Sequence, residues 1–174
     1  MKTALKFGLI CGFLIIAYTL ATFYIVGDIS KLNPQQFSSF ESMGYLRYIL
    51  LLFILYLAIR ESRQKSVEPP SFGSLLKTGI LFTLIVSFMV GFMQMAYLYF
   101  NPDFFEKYAG LYLAQMKAAG KSAEEINMAK KVMETETVMK TPWANGIFYF
   151  FLTAFIGSIA ALAFSMILRP REQQ

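Results

Sequence analysis

The sequence predicts an all-α integral membrane protein, a four-helix bundle with an extramembrane amphipathic helical segment between spans three and four. Four apolar stretches are the first observation, at about 4–26, 44–59, 75–100 and 143–168 of the 174 residues. Composition is the second, since 56% of residues are hydrophobic and 16% are charged, against about 45–50% and 25% in soluble domains. A single membrane domain over 1–174 is therefore expected.

The first stretch is predicted to be a retained membrane anchor. Lys2 and Lys6 precede it, as basic residues precede a secretory signal. However, the uncharged run from Phe7 to Val26 is 20 residues long, whereas the apolar region of a signal peptide has about 7–15. A run of this length spans the hydrocarbon core, which is about 30 Å thick.

Arg47 interrupts the second stretch and leaves only the 12 residues from Tyr48 to Ile59 uninterrupted. A run this short is also compatible with a re-entrant segment. Basic residues at both ends of the chain favour an even number of crossings, because they suit cytoplasmic termini. Four spans are therefore predicted, with Arg47 extending its guanidinium to the interface.

The charge pattern predicts a multi-pass protein of the inner (cytoplasmic) membrane with both termini in the cytoplasm. The net charge is +5, and basic residues are dense between Arg60 and Lys77 and include the C-terminal Arg169 and Arg171. Basic residues on the opposite side are spread over longer segments, which weigh less in topology. Because such residues contact anionic lipid beside the spans, membrane lipid is an expected partner and nucleic acid is not.

The segment of about 103–140 is predicted to form two helices outside the membrane. Gly120 separates them, and Ser122 with Glu125 forms a capping box for the second helix. The first helix has an apolar face, and its candidate contact residues are Phe105, Leu111 and Met116. This face is expected to lie on lipid, on the second helix or on a protein partner.

Three polar residues fall near the outer ends of the spans, namely Arg47, Gln94 and Asn145. If they converge, an arginine with two amides can bind a lipid headgroup or a small anion. In the alternative interpretation Arg47 reaches the interface, Gln94 bonds a neighbouring helix, and Asn145 caps the fourth span.

Small residues predict two helix-packing faces. Gly8 and Gly12 form a GxxxG face on the first span, and Gly157 with Ala161 belongs to a small-residue surface on the fourth. Such residues let helix backbones approach closely in a membrane. The faces can join spans within one chain or between the chains of a homo-oligomer.

The inventory of reactive residues predicts no catalytic, metal-binding or cofactor-binding site. The chain has no histidine, which removes the commonest general base and metal ligand. No Asp or Glu falls within a predicted span, although ion-coupled carriers need an ionisable group there. The preferred prediction is a non-enzymatic scaffold or accessory protein of the cell envelope. The alternatives are a small transporter or channel and a lipid-binding membrane protein.

Several short motifs together resemble the bacterial domain-of-unknown-function family numbered 4199. They are Gly44-Tyr45 at the second span, Ser71-Phe72-Gly73 before the third, the stretch from Phe104 to Glu125, and a proline-capped fourth span that ends in basic residues. The resemblance implies a small bacterial membrane protein with four spans. It implies no activity and no catalytic residue.

Overall fold

Residues 1–66, 69–135 and 140–169 are described by the computed structural model, and they form six α-helices. The helices are α1 (Lys2–Val26), α2 (Pro34–Gln64), α3 (Phe72–Phe100), α4 (Phe104–Ala118), α5 (Ala123–Thr135) and α6 (Pro142–Leu168). A short 3-10 turn, Ile29–Lys31, joins α1 to α2. Arg171 and residues 136–139 of the outer segment lie outside the described residues.

Four of these helices, α1, α2, α3 and α6, are long and apolar enough to cross a membrane. They contain 25–31 residues, and their most apolar windows have mean hydropathies of 1.8–2.3. The described residues contain no strand. The predicted all-α bundle with four spans is confirmed.

The second span is much longer than its apolar run suggests. Helix α2 continues for 31 residues, or about 46 Å at 1.5 Å per residue. Asn33 caps it, because its side-chain oxygen accepts from the Gln36 N–H at 2.8 Å while the Gln36 oxygen accepts from the Asn33 N–H at 3.0 Å. Pro34 follows it in the first turn, where the fixed φ of proline already suits a helix. The helix therefore begins ten residues before Gly44, in polar sequence that hydropathy does not detect.

Helix α3 is the centre of the bundle and contacts the other three spans. Half of its most apolar window is buried, compared with 22–33% in the other spans. The predicted packing residues all face it within the chain. A Cβ at Gly8 would lie 3.1 Å from Ile85, one at Gly12 would meet Met89, and one at Gly157 would lie 2.5 Å from Thr83. A Cβ at Gly79 of α3 would lie 2.6 Å from the Ala161 Cβ of α6, so Ala161 also packs against α3.

The bundle has two ends, which we call the terminal side and the α4 side. On the terminal side, Lys6 near the start of α1 lies 3.9 Å from Glu61 near the end of α2. On the α4 side, the Tyr18 hydroxyl of α1 donates to the Met43 carbonyl of α2 at 2.9 Å. Helices α1 and α2 are therefore antiparallel neighbours, and the turn that joins them lies on the α4 side.

The outer segment forms a helix, a turn and a second helix. Gly120 occupies the turn with φ +71°, in the left-handed region that glycine enters without steric cost. The Ser122 hydroxyl accepts from the Glu125 N–H at 3.2 Å, and the Glu125 carboxylate accepts from the Ser122 N–H at 2.9 Å. This is the predicted capping box.

The apolar face of α4 lies on the chain itself. Leu111 is buried in a cluster with Ile29 and Phe37, which come from the 3-10 turn and the start of α2. Phe105 and Met116 are half-buried. The extended first turns of α2 provide this surface. By contrast, no residue of α5 is buried.

Candidate functional site

A cavity of about 440 Å³ lies on the α4 side of the bundle, among α1, α2, α3, α4 and α6. Its volume falls in the range of small-molecule sites, about 300–1,000 Å³. Most of the wall is apolar or aromatic, and three of its polar residues are Arg47, Gln94 and Asn145. The structure thus brings to one cavity the three polar residues whose convergence the sequence leaves open.

The Arg47 guanidinium lies between two tyrosine rings. Its central carbon is 4.9 Å from the centroid of the Tyr48 ring and 4.8 Å from that of Tyr149. One terminal nitrogen donates to the Tyr48 hydroxyl at 3.3 Å, and the Nε atom is buried without a hydrogen-bond partner in the described part of the chain. The ring faces favour a cation, and they leave donors of the guanidinium available for a ligand.

Two glycines bring the side chains of α3 and α6 to the same wall. A Cβ at Gly91 would lie 2.7 Å from the Gly146 carbonyl oxygen, and a Cβ at Gly146 would lie 2.8 Å from the Gly91 carbonyl oxygen. Neither position accepts a side chain, because the opposing atom is backbone. Gln94 lies about one turn beyond Gly91, and Asn145 precedes Gly146, so this close crossing brings both residues to the cavity wall.

Gln94 and Asn145 are buried residues of the cavity wall. They are 8% and 6% exposed. Within residues 1–66, 69–135 and 140–169, neither side-chain amide forms a hydrogen bond. The predicted bond from Gln94 to a neighbouring helix is therefore not present there.

The interpretation of Asn145 as a helix cap is wrong. Thr141 occupies the N-cap of α6 with ψ 137°, and its hydroxyl accepts from the Ala144 N–H at 3.4 Å. Pro142 fills the first helical position, where its missing N–H is not needed. Asn145 consequently lies inside the first turn and faces the cavity.

Tyr108 connects α4 to the cavity wall. Its hydroxyl donates a 2.7 Å hydrogen bond to the Glu41 carboxylate of α2. Burial, together with the bond to Glu41 and its negative charge, raises the pKa of Tyr108. The tyrosine is therefore a protonated donor at neutral pH. Both residues line the cavity.

An aromatic cluster holds α4 over the same end of the bundle. Phe23 of α1 stacks on Tyr97 of α3 at 4.1 Å between ring centroids, and Phe104 of α4 contacts both edge-on at 5.8 and 5.4 Å. Phe37 of α2, which is fully buried, meets the Tyr108 ring at 5.2 Å. Aromatic pairs of this geometry add about 0.5–1.5 kcal/mol each beyond area burial. Helix α4 is thus a fixed wall of the site.

The other hydroxyl groups of α1 on this wall are already engaged. Thr19 donates to the Ile15 carbonyl at 2.8 Å, and Thr22 donates to the Tyr18 carbonyl at 2.9 Å. Tyr18 donates to Met43. The hydroxyls of α1 are therefore less available to a ligand than the polar groups of Arg47, Gln94 and Asn145.

Below the cavity, the α3 face is tightly packed toward the terminal side. Val90, Val86 and Phe82 are 0–2% exposed. Thr83 and Ser87 on this helix are also fully buried, and their hydroxyls have no partner in the described part of the chain. The cavity is therefore a blind pocket in this conformation.

Sequence reasoning did not assign four contributors to this site, namely Glu41, Tyr108, Tyr149 and the Gly91–Gly146 crossing. The capping box at Asn33 and Gln36 was a usable signal for Glu41, because it extends α2 past this residue. No local signal pairs Tyr108 with Glu41, since 67 residues separate them. In the described residues, no group of three or more Cys, Asp and Glu side chains could hold a metal ion.

Fold and cavity together define a class of protein, a four-span helical membrane protein with a polar pocket at one end of the bundle. The family model described as "Protein of unknown function (DUF4199)" matches residues 6–170. The chain belongs to this family, as its sequence motifs predicted. No curated protein and no solved structure matches the chain.

Proposed function

We propose that this chain is a non-enzymatic membrane protein that binds a phospholipid by its headgroup in the cavity on the α4 side. One observation supports the proposal above the others. An arginine that forms no ion pair within the described residues, and two amide residues that are 8% and 6% exposed, line a single cavity in a membrane protein. Ionisable groups inside membrane proteins mark functional sites by default.

The donors suit a phosphate group. No carboxylate of the described residues forms an ion pair with Arg47, and an arginine side chain keeps its charge in proteins. Its planar fork matches the oxygens of a phosphate. The amide groups of Gln94 and Asn145 add neutral donors. A phosphate bound here would replace the water that these groups lose on burial.

The mouth of the cavity suits an amphiphile. Met43 and Tyr45 line the cavity and are 45% and 71% exposed, so the cavity reaches the outer surface of the bundle at α2. Exposed aromatic side chains are common at the level of lipid headgroups. A headgroup can therefore enter at this exposed part of α2 while its acyl chains stay in the bilayer.

The proposal includes a role in the cell. The protein acts as an accessory or scaffold protein of the cell envelope, since the polar groups of the cavity wall suit binding of a ligand. It lies in the bacterial inner membrane with both termini cytoplasmic, which places the cavity in the outer leaflet. The density of basic residues from Arg60 to Lys77 supports this orientation.

Gly44 allows a direct test of binding. It lines the cavity, and a Cβ there would meet nothing within 4 Å. Gly44→Phe should therefore fill the mouth without disturbing the helix. Native mass spectrometry and lipid extraction of the purified protein should show bound phospholipid in the wild type and little in the variant.

Gly110→Phe is the matched control, because a Cβ at Gly110 also meets nothing within 4 Å but the residue is outside the cavity wall. It should retain the bound lipid. Equal lipid content in all three proteins, with normal melting of Gly44→Phe, would contradict the proposal.

Helix α5 supports a protein partner as the second candidate function. Met128 and Val132 on this helix are 64% and 51% exposed. The apolar face of α4, by contrast, packs against the rest of the chain. If α5 contacts a partner or a second copy of the chain, Met128→Ser with Val132→Ser should abolish crosslinking in membranes and leave melting unchanged. Loss of melting temperature would instead assign these side chains to the chain's own fold.

A further inference from the structure

The cavity contains a second unpaired charge, the carboxylate of Glu41. Tyr108 donates to its Oε1 atom at 2.7 Å, and no lysine or arginine of the described residues forms an ion pair with it. Glu41 and Arg47 line the same cavity but do not pair with each other. The site therefore offers one cation and one anion, both without a counter-ion.

The two charges lie at different depths along α2. Six residues separate them, which corresponds to about 9 Å along a helix axis. Glu41 is nearer to the α4 side, and Arg47 is nearer to the centre of the bundle. In a phospholipid whose phosphate carries an amino alcohol, the phosphate is nearer to the acyl chains and the amine lies farther out. The charges of the headgroup and of the cavity therefore have the same order.

Charge balance also distinguishes between headgroups. An anionic headgroup such as that of phosphatidylglycerol would satisfy Arg47 with its phosphate but would bring no positive charge to Glu41, and like charges disfavour each other at short range. A zwitterionic headgroup would satisfy both residues. A primary ammonium has three N–H donors, whereas a quaternary ammonium has none for the free oxygen of Glu41.

We infer that Glu41 makes this cavity selective for phospholipids that carry a primary ammonium beside the phosphate. Arg47, Gln94 and Asn145 bind the phosphate, and the Glu41 carboxylate binds the ammonium. Tyr108 is a positioning residue, because it holds the carboxylate through one oxygen and leaves the other for the ligand. The inference rests on the proposed function and names the ligand class of that site.

The test uses the purified, delipidated full-length protein and native mass spectrometry with four probes. Three are dioctanoyl lipids, namely phosphatidylethanolamine, phosphatidylcholine and phosphatidylglycerol, and the fourth is inorganic phosphate. The wild type should bind phosphatidylethanolamine roughly tenfold more tightly than the other two lipids, the factor expected of one charge-assisted hydrogen bond. Inorganic phosphate at lipid concentrations should neither bind nor compete.

Glu41→Gln should reduce the preference for phosphatidylethanolamine over phosphatidylglycerol to within about twofold, and Arg47→Gln should weaken binding of all three lipids. Glu106→Gln is the charge-matched control, since Glu106 is an exposed carboxylate of α4 outside the cavity wall. Arg60→Gln serves the same purpose for Arg47, as an exposed arginine on the terminal side of α2. Both controls should keep the wild-type preference.

Tyr108→Phe separates selectivity from folding, because it keeps the Glu41 charge and removes only a hydrogen bond. Because Tyr108 only positions the carboxylate, this variant should lower the preference for phosphatidylethanolamine by less than Glu41→Gln does, whether or not its melting temperature falls. Equal binding of phosphatidylethanolamine and phosphatidylglycerol by the wild type would overturn the inference and leave the proposed function standing. Binding of phosphatidylcholine as tight as that of phosphatidylethanolamine would also overturn it. Binding of inorganic phosphate alone, or of no probe, would overturn both.

Discussion

Tyr108 and Glu41 are 67 residues apart in sequence, and a 2.7 Å hydrogen bond joins them across the interface of α4 and α2. It is a specific polar link between the outer segment and a membrane span. Tyr108→Phe should lower the free energy of unfolding by about 1.5–3 kcal/mol, the usual value for a hydrogen bond to a charged group. Thermal unfolding in detergent measures this effect. Tyr99→Phe, at an exposed tyrosine of α3, should leave the melting temperature unchanged, and an equal loss there would contradict the assignment.

The crossing of α3 and α6 at Gly91 and Gly146 gives a prediction about close packing. Gly91→Ala places a methyl group 2.7 Å from a backbone carbonyl oxygen, so the helices must separate. The expected loss is about 1–3 kcal/mol, as for overpacked cores. In Gly110→Ala the methyl group meets open space, and because alanine favours helix by about 1 kcal/mol, melting should stay the same or rise. A stable Gly91→Ala variant would show that the crossing tolerates separation.

The spans and the capped outer helices could be predicted from sequence because their signals are local. Hydropathy detects about 20 apolar residues wherever they fold, and the Ser122–Glu125 box requires only the two residues that form it. The similar depth of Arg47, Gln94 and Asn145 could be predicted for a related reason, since antiparallel spans of known length fix the depth of each residue. Whether the three side chains meet depends on lateral packing and was left open.

The rest of the site depends on how the helices pack side by side, and a single sequence contains no local pattern that predicts this packing. Hydropathy gave α2 a start near Gly44, because the first turns of the helix are polar and lie outside any apolar window. These turns carry Phe37 and Glu41, which receive α4. The α4 face was therefore assigned to lipid, the second helix or a partner, although Leu111 lies on residues of the same chain.

Topology can be tested with reporter fusions. A fusion after Lys65 and one at the C-terminus should report the cytoplasm, and a fusion near Gly120 should report the other side. The contact of Lys6 with Glu61 places the start of α1 and the end of α2 on one side of the bundle. The fusion after Lys65 therefore also reports the side on which α1 begins. A cytoplasmic signal near Gly120 would invert the orientation and place the cavity in the inner leaflet.

Two buried threonines of α3 should respond oppositely to the same substitution. The Thr83 hydroxyl is fully buried and has no partner in the described part of the chain, so Thr83→Val replaces it with an isosteric methyl group and should leave melting unchanged or raise it. The Thr78 hydroxyl bonds the Ser62 hydroxyl at 3.0 Å and the Ser74 carbonyl at 3.2 Å. Thr78→Val should cost about 0.5–1.5 kcal/mol. A destabilised Thr83→Val would indicate a buried water on that hydroxyl.

The start of α5 should loosen in acid because of Glu125. Hydrogen bonds from the Ser122 N–H, Lys121 and the Ser122 hydroxyl, in that order, lower the pKa of this carboxyl. A group with a lowered folded-state pKa stabilises the fold fully above its ordinary pKa, and this contribution is lost as the pH falls through the folded value. The Cα chemical shifts of Ile126 and Ala129 should therefore be helical at neutral pH and move toward coil only in acid, below the ordinary pKa range of a glutamate.

Two variants test the assignment to Glu125. Glu125→Gln keeps the capping box without the charge and should remove most of this pH dependence. Glu124→Gln, beside it in the same first turn, should retain it, and equal effects of the two variants would assign the transition to the general charge of the helix terminus instead of the cap.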